Sequence, residues 1–184
     1  MPATIILSER NGTTPGISTD NVTSINWKAT DDPNYQYTNS SNVILAGTNS
    51  YEKYQYLVFG GDYSSITNVT VSHVAGVLPK GAKLMITPGI SNDNDRAVYS
   101  KPTQLTSTKA TYDLSAIGAG VQLLVGPWTN GADPAASSGK AYMQNKPDTG
   151  QLYSNYFITQ LQTTTLVTSG DIAQISLLIS FDES

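Results

Sequence analysis

The stretch that decides the fold lies near the end of the chain, where residues 172–181 read Ile-Ala-Gln-Ile-Ser-Leu-Leu-Ile-Ser-Phe. From Gln174 onward apolar residues alternate with polar ones, and Leu178 is the one exception on the polar side. A period of two is typical of a strand that buries one face. We therefore predict that this strand is central to the core, with its apolar face formed by Ile175, Leu177, Ile179 and Phe181.

Strand signals recur along the rest of the chain, separated about every ten residues by Gly, Pro, Asn or Asp. The other candidate strands are residues 51–59, 66–74, 82–87, 97–99, 110–114, 121–125 and 153–164. Helical periodicity is nearly absent, and only residues 114–118 and 135–138 are candidates for a short helical turn. This organisation predicts an all-β protein, an antiparallel two-sheet β-sandwich of the jelly-roll kind.

The composition excludes several classes of function. Only 13% of the 184 residues are charged, against about 25% in an average protein, and 20 Ser, 22 Thr and 13 Asn take their place. A net charge of −4 argues against nucleic-acid binding, which needs clustered Lys and Arg. The chain has no Cys, so disulfides, thiol nucleophiles and zinc ribbons are excluded. No apolar run is long enough for a membrane span, and the start lacks the basic region of a signal peptide.

Two segments do not resemble core strands. Residues 1–48 are polar, and we expect an extended N-terminal arm or edge hairpins there, with the sandwich domain over residues 49–184. Because tight hairpin turns are lacking, docking of the arm on a neighbouring subunit is favoured over edge strands on its own subunit. Residues 126–151 form a long connection, which is often functional or partner-facing. The candidate interface residues of both segments are Ile5, Ile6, Leu7, Trp27, Trp128 and Tyr142.

Catalytic and metal-binding patterns are weak. His73 is the single histidine and lies in phase with the apolar side of its strand, which favours a packed histidine at a sheet edge. The carboxylates are scattered, whereas a glycosidase needs two facing each other across a cleft. Asp93 and Asp95 are candidate calcium ligands in residues 91–96, although that loop lacks the Gly and Glu of a helical calcium loop and also suits an ordinary turn. We expect no other cofactor.

The tyrosines are the stronger signal. The chain has 11, and they concentrate in residues 35–56 and 142–156. Tyr with little surrounding charge suits protein–protein interfaces and also sugar-binding platforms. The alternative is that most of these rings cap the sandwich.

Several stretches resemble small virion structural proteins of tailed bacteriophages. They are Leu7-Ser8-Glu9-Arg10-Asn11-Gly12, Asn49-Ser50-Tyr51-Glu52-Lys53-Tyr54, Gln162-Thr163-Thr164-Thr165 with Gly170, and the final Phe181-Asp182-Glu183. These proteins include capsid decoration (cement) proteins and components of the neck or tail. The resemblance implies a β-sandwich, self-association and no enzymatic activity.

The expected function is therefore that of a capsid decoration protein, a homotrimer bound to the major capsid protein. It would be made in the host cytoplasm and located in the virion, with neither nucleic acid nor membrane as a partner. A neck or tail component is the alternative within this class. A carbohydrate-binding, lectin-like sandwich is the alternative from another class, and a sandwich hydrolase is the third.

Overall fold

The computed structural model describes residues 2–31, 42–88, 99–124, 128–129, 143–145, 152–167 and 174–184. Its regular elements within these ranges are all strands, and they form two antiparallel sheets. The prediction of an all-β sandwich is confirmed. No helix long and apolar enough to cross a membrane occurs in this part of the chain.

Among the described residues, sheet 1 has eight strands, and strands from both ends of the chain are neighbours in it. Its main path runs β2-β1-β3-β11-β5-β6, and β10 pairs with both β3 and β9. The strands are β1 (Thr4–Asn11), β2 (Ile17–Thr19), β3 (Lys53–Gly60), β5 (Ala82–Ile86), β6 (Tyr112–Asp113), β9 (Met143–Asn145), β10 (Leu152–Ser154) and β11 (Phe157–Thr163).

Sheet 2 is smaller, and β4 is its central strand. Its path is β12-β4-β7, with β8 also paired to β4. The strands are β4 (Ser65–Ala75), β7 (Gly120–Leu124), β8 (Trp128–Thr129) and β12 (Ser176–Glu183). β12 therefore lies at an edge of the sheet, a position that the sequence did not predict. Its predicted phase is right, because Ile175, Leu177, Ile179 and Phe181 all pack against the core.

The core lies between the two sheets. Cross-strand pairs such as Leu7–Leu57 and Leu161–Leu84 share a face, because residues directly opposite in a ladder point the same way. The buried apolar cluster is made of Leu57, Phe59, Tyr63, Ile66, Val69, Val71, Leu84, Ile86, Leu114, Val121, Leu123 and Phe157. The same inner face of sheet 1 continues into polar residues, since Glu9 pairs with Gln55 and Phe157 also faces Gln55.

The N-terminal segment is part of sheet 1. β1 pairs with β3 from Thr4–Gly60 to Arg10–Tyr54, and β2 folds back on β1. Residues 4–19 therefore form the edge hairpin that was one of the two alternatives. The prediction that they extend as an arm to a neighbouring subunit is wrong. The sequence did not indicate this pairing, because β1 and β3 are far apart in the chain. The short apolar stretch at Ile5 is not enough by itself to predict a strand. Residues 114–118 form a turn and no helix, and residues 135–138 lie outside the described ranges.

Candidate functional site

The largest concentration of aromatic side chains covers the outer face of sheet 1. We call this the tyrosine face and define it by Tyr54, Tyr56, Tyr99, Tyr156 and Arg10. Arg10 and Tyr54 are direct cross-strand partners, which places both on the face opposite Leu7 and Leu57. Three of these rings belong to a second apolar cluster. Its buried members are Tyr54, Tyr99, Ala110 and Ile158, and Met85 and Tyr156 pack against them.

The four rings hold one another edge to face. Tyr54 contacts Tyr99 at a centroid distance of 5.1 Å and Tyr156 at 5.7 Å, both with 71° between the ring planes. Tyr156 also meets Tyr56 at 5.7 Å and Tyr99 at 6.0 Å. Such distances and angles are favourable for aromatic pairs, so each contact fixes its neighbour's rotamer. The result is a rigid cluster centred on Tyr54 and Tyr156.

Two cations contact the rings, Arg10 from β1 and Lys109 from the loop that precedes β6. The Arg10 guanidinium lies 5.8 Å from the centroid of Tyr99, and Lys109 Nζ lies 5.1 Å from that of Tyr54. Lys109 also donates hydrogen bonds to the Tyr54 hydroxyl at 2.6 Å and to Ser100 Oγ at 2.7 Å. These cation–π contacts and hydrogen bonds leave the cluster with positive charge at its border.

The hairpin of β1 and β2 closes tightly against Tyr99. The Tyr99 hydroxyl donates to the carbonyl of Gly12 at 2.6 Å. At Gly16, where φ is +75°, a Cβ would lie 2.6 Å from Cε1 of Tyr99 and 2.8 Å from Cγ of Arg10. Only glycine tolerates both this backbone conformation and this approach. The hairpin therefore forms one wall of the tyrosine face.

The four tyrosines differ in how far their side chains are exposed to solvent. Tyr54 and Tyr99 are buried, whereas Tyr56 and Tyr156 are half-buried. Beside them, exposed Asp20 accepts a hydrogen bond from Ser8 Oγ at 2.7 Å. Burial raises the pKa of Tyr156, with Arg10 opposing the shift, so its phenol stays neutral at physiological pH. The face thus offers ring surfaces, neutral hydroxyls and one carboxylate, which suits binding more than nucleophilic chemistry.

Two buried titratable groups outside the tyrosine face, His73 and Glu52, are occupied by structural contacts. His73 is fully buried on β4, with Nδ1 3.2 Å from the Leu114 carbonyl and Nε2 2.9 Å from that of Ala75. It is a packed histidine, as predicted, but on the central strand of sheet 2. Glu52 is buried and accepts from Ser107 Oγ at 2.5 Å. Within the described ranges, no group of three or more His, Cys, Asp or Glu is arranged to hold a metal ion.

Of the predicted interface residues, the four in the N-terminal segment are described, and they do not share one face. Ile5, Leu7 and Trp27 pack against the core of their own chain, which corrects the expectation that they dock on a neighbour. The Trp27 indole also donates to Thr159 Oγ1 at 3.1 Å, and Ile6 is half-buried on the outer face of sheet 1.

Other predicted residues stay predictions. Trp128 begins β8, and only its place in the sheet is described. Tyr142, Asp93 and Asp95 lie outside the described residues, as do residues 97–98 of a predicted strand. Of the tyrosines that the sequence singled out, Tyr54, Tyr56 and Tyr156 lie together in the structure. Tyr99 was missed because it lies far from them in sequence.

No family model, curated protein or solved structure matches this chain.

Proposed function

We propose that this protein is a non-enzymatic structural protein of a tailed-phage virion, a decoration protein that binds the major capsid protein through its tyrosine face. The observation that carries the proposal is the pair of half-buried rings, Tyr56 and Tyr156, which meet edge to face on a sheet surface whose charged groups lie at its border. Preorganised tyrosines lose little conformational entropy on binding and are enriched among interface hot spots.

The sequence supports the same proposal. The stretches that resemble small virion proteins overlap parts of β1, β3, β11 and β12, and the chain is rich in hydroxyl and amide groups with little charge. Contacts repeated by symmetry make modest single interfaces strong, so a homotrimer on the shell gains from each added subunit. We place the protein in the virion, after synthesis in the host cytoplasm.

Immunogold electron microscopy of phage particles from the source host tests the location. We expect gold particles on the faces of the head. Label at the neck or tail would contradict the decoration role and favour the alternative virion component. Particles without any label, from a lysate in which the protein is abundant, would overturn the virion proposal.

Rebinding to particles made without this protein tests the tyrosine face. Tyr156→Ala should weaken binding by about 2 kcal/mol or more, as for an interface hot spot. Tyr112→Ala is the matched control, because Tyr112 is 38% exposed on β6 and makes no contact in the tyrosine cluster. If both variants bind equally well, the tyrosine face is not part of the interface.

Carbohydrate binding is the second candidate, and the position of Asp20 favours it. The carboxylate lies 3.5 Å from the Tyr56 hydroxyl, beside rings that can stack on a sugar. A glycan array with the wild-type protein and Tyr56→Ala separates the two functions. Specific glycan binding that the substitution abolishes would support the lectin-like function.

A further inference from the structure

Three polar side chains meet on the inner face of sheet 1, where apolar residues would be expected. Glu9 and Asn11 lie on β1, and Lys53 begins β3 on the neighbouring strand. Their exposed fractions are 6%, 1% and 2%, so all three are shielded from water. We call them the Glu9–Asn11–Lys53 triad.

The triad is a closed ring of contacts. Lys53 Nζ lies 2.8 Å from Glu9 Oε1 and 3.3 Å from Asn11 Oδ1. Asn11 Nδ2 donates to the same Glu9 oxygen at 2.9 Å. One carboxylate oxygen therefore contacts both nitrogens, while the amine contacts the carbonyl oxygen of the amide.

Stability alone is a weak reason for such an arrangement. Desolvating a Lys–Glu pair costs several kcal/mol, and apolar residues of the same volume often serve as well or better. The buried amine of Lys53 nevertheless contacts the carbonyl oxygen of a buried amide, and this places a nucleophile beside the electrophilic Cγ to which that oxygen is bonded. Reacting groups held about 3–3.5 Å apart gain the large advantage of an intramolecular reaction.

We propose that Lys53 and Asn11 form an intramolecular isopeptide bond, with Glu9 as the proton carrier. The geometry points to this reaction because all three groups that it needs are in contact and dry. The proposal is independent of the function proposed above and needs no cofactor or oxidant.

The reaction begins with a proton moving from the Lys53 ammonium to the Glu9 carboxylate, which leaves a neutral amine. The amine lone pair attacks Cγ of Asn11 and forms the new C–N bond. Glu9 then carries a proton from Nζ to Nδ2, and the Cγ–Nδ2 bond breaks. Ammonia leaves with the remaining proton as ammonium. The Lys ammonium and the Asn amide have become a secondary amide and an ammonium ion.

The product ties β1 to β3 covalently. In a chain without Cys, it would restrict the unfolded state as a disulfide does, by closing the loop between residues 11 and 53. It would also prevent the edge hairpin from peeling away from the sheet.

Mass spectrometry of the full-length folded protein tests the bond. We expect an intact mass lower than that of the sequence by one ammonia, and a digest that contains the Asn11 and Lys53 peptides joined. The joined peptide must be absent from Lys53→Arg, which keeps the charge, and from Glu9→Gln. Asn11→Asp should react with loss of water and give the same final mass as the reacted wild-type protein.

A competing reaction requires its own control. Asn11 precedes Gly12, and Asn-Gly sequences can close to a succinimide, which also releases ammonia. Lys53→Arg distinguishes the two, because a succinimide would persist in that variant and an isopeptide bond would not. Separate Asn11 and Lys53 peptides in the wild-type digest would overturn the proposal even if every variant failed to fold.

Discussion

The two sheets of this sandwich use their faces differently. Sheet 2 packs one face on the core and turns the other outward, so that Leu177 is half-buried while neighbouring Leu178 is 51% exposed. In β3 of sheet 1, successive residues from Lys53 to Gln55 are buried on both faces. Polar side chains of sheet 1 such as Lys53 and Gln55 are therefore shielded from water. For this reason both the tyrosine face and the triad belong to sheet 1.

The largest loss of stability is expected from the centre of sheet 1. Phe59 is fully buried and meets Phe181 edge to face at 5.3 Å, which connects the two sheets. Phe59→Ala should lower the free energy of unfolding by about 3–5 kcal/mol. Chemical denaturation measures the change, and Phe59→Leu is the milder control if the Ala variant does not fold. Equal stability of wild type and Phe59→Ala would show that the sheets do not pack through this residue.

A smaller loss is expected at the inner face of β12. Leu177 packs against the core from an edge strand and keeps part of its surface in water. Leu177→Ala should therefore cost less than the roughly 2–5 kcal/mol of a fully buried leucine, and about 1–2 kcal/mol is our expectation. The same denaturation experiment checks it. A cost as large as that of Phe59→Ala would make β12 as central as its alternating sequence first indicated.

Sheet 2 could be predicted from the sequence because its strands bury one face. In β4 and β12, the alternation of residues such as Val69, Val71 and Ile179 directly reports which side meets the core. What remained open was the position of β12 in the sheet. Edge and central strands differ in neighbours that lie far away in sequence, and alternation alone carries no information about them.

Sheet 1 was less predictable for two physical reasons. Its inner face continues from Leu7 into Glu9 and Asn11, so that β1 shows no extended apolar alternation. Its strands also pair across most of the chain, as in Leu7–Leu57 and Ile158–Tyr54. The triad could not be predicted from the sequence for the same reason, because Lys53 is buried by contacts with residues that are distant in the chain. Of the tyrosine face and the triad, only the tyrosines gave a local signal, because their number itself is unusual.

A pH-dependent effect should appear beside the triad. Burial raises the pKa of Asp31 above the ordinary 3.8, against a hydrogen bond from the Gly12 N–H and the charges of Lys53 and Lys101. The unfolded chain therefore loses this proton first, and the folded state loses stability as pH rises from 3.8 through the raised pKa. Asp31→Asn cannot ionise and should have a higher Tm than wild type at pH 7.

The difference should vanish below the unfolded pKa of about 3.9, where both side chains are neutral. Thermal unfolding of the two proteins at about pH 7 and pH 3 measures it. A lower Tm of the variant at neutral pH would mean that attraction to the nearby lysines outweighs the cost of burying the carboxylate.

The smallest effect is expected on the outer face of sheet 2. Leu178 is exposed there opposite Ser72, so its replacement removes little buried apolar surface. Leu178→Thr introduces a β-branched residue suited to a strand and should change the free energy of unfolding by no more than about 0.5 kcal/mol. Leu177→Thr is the matched control, because the same substitution one residue away should destabilise the protein clearly. If Leu178→Thr costs as much as Leu177→Thr, the outer face is buried in solution. A melting temperature that rises with protein concentration would then identify a second copy of this chain as the covering partner.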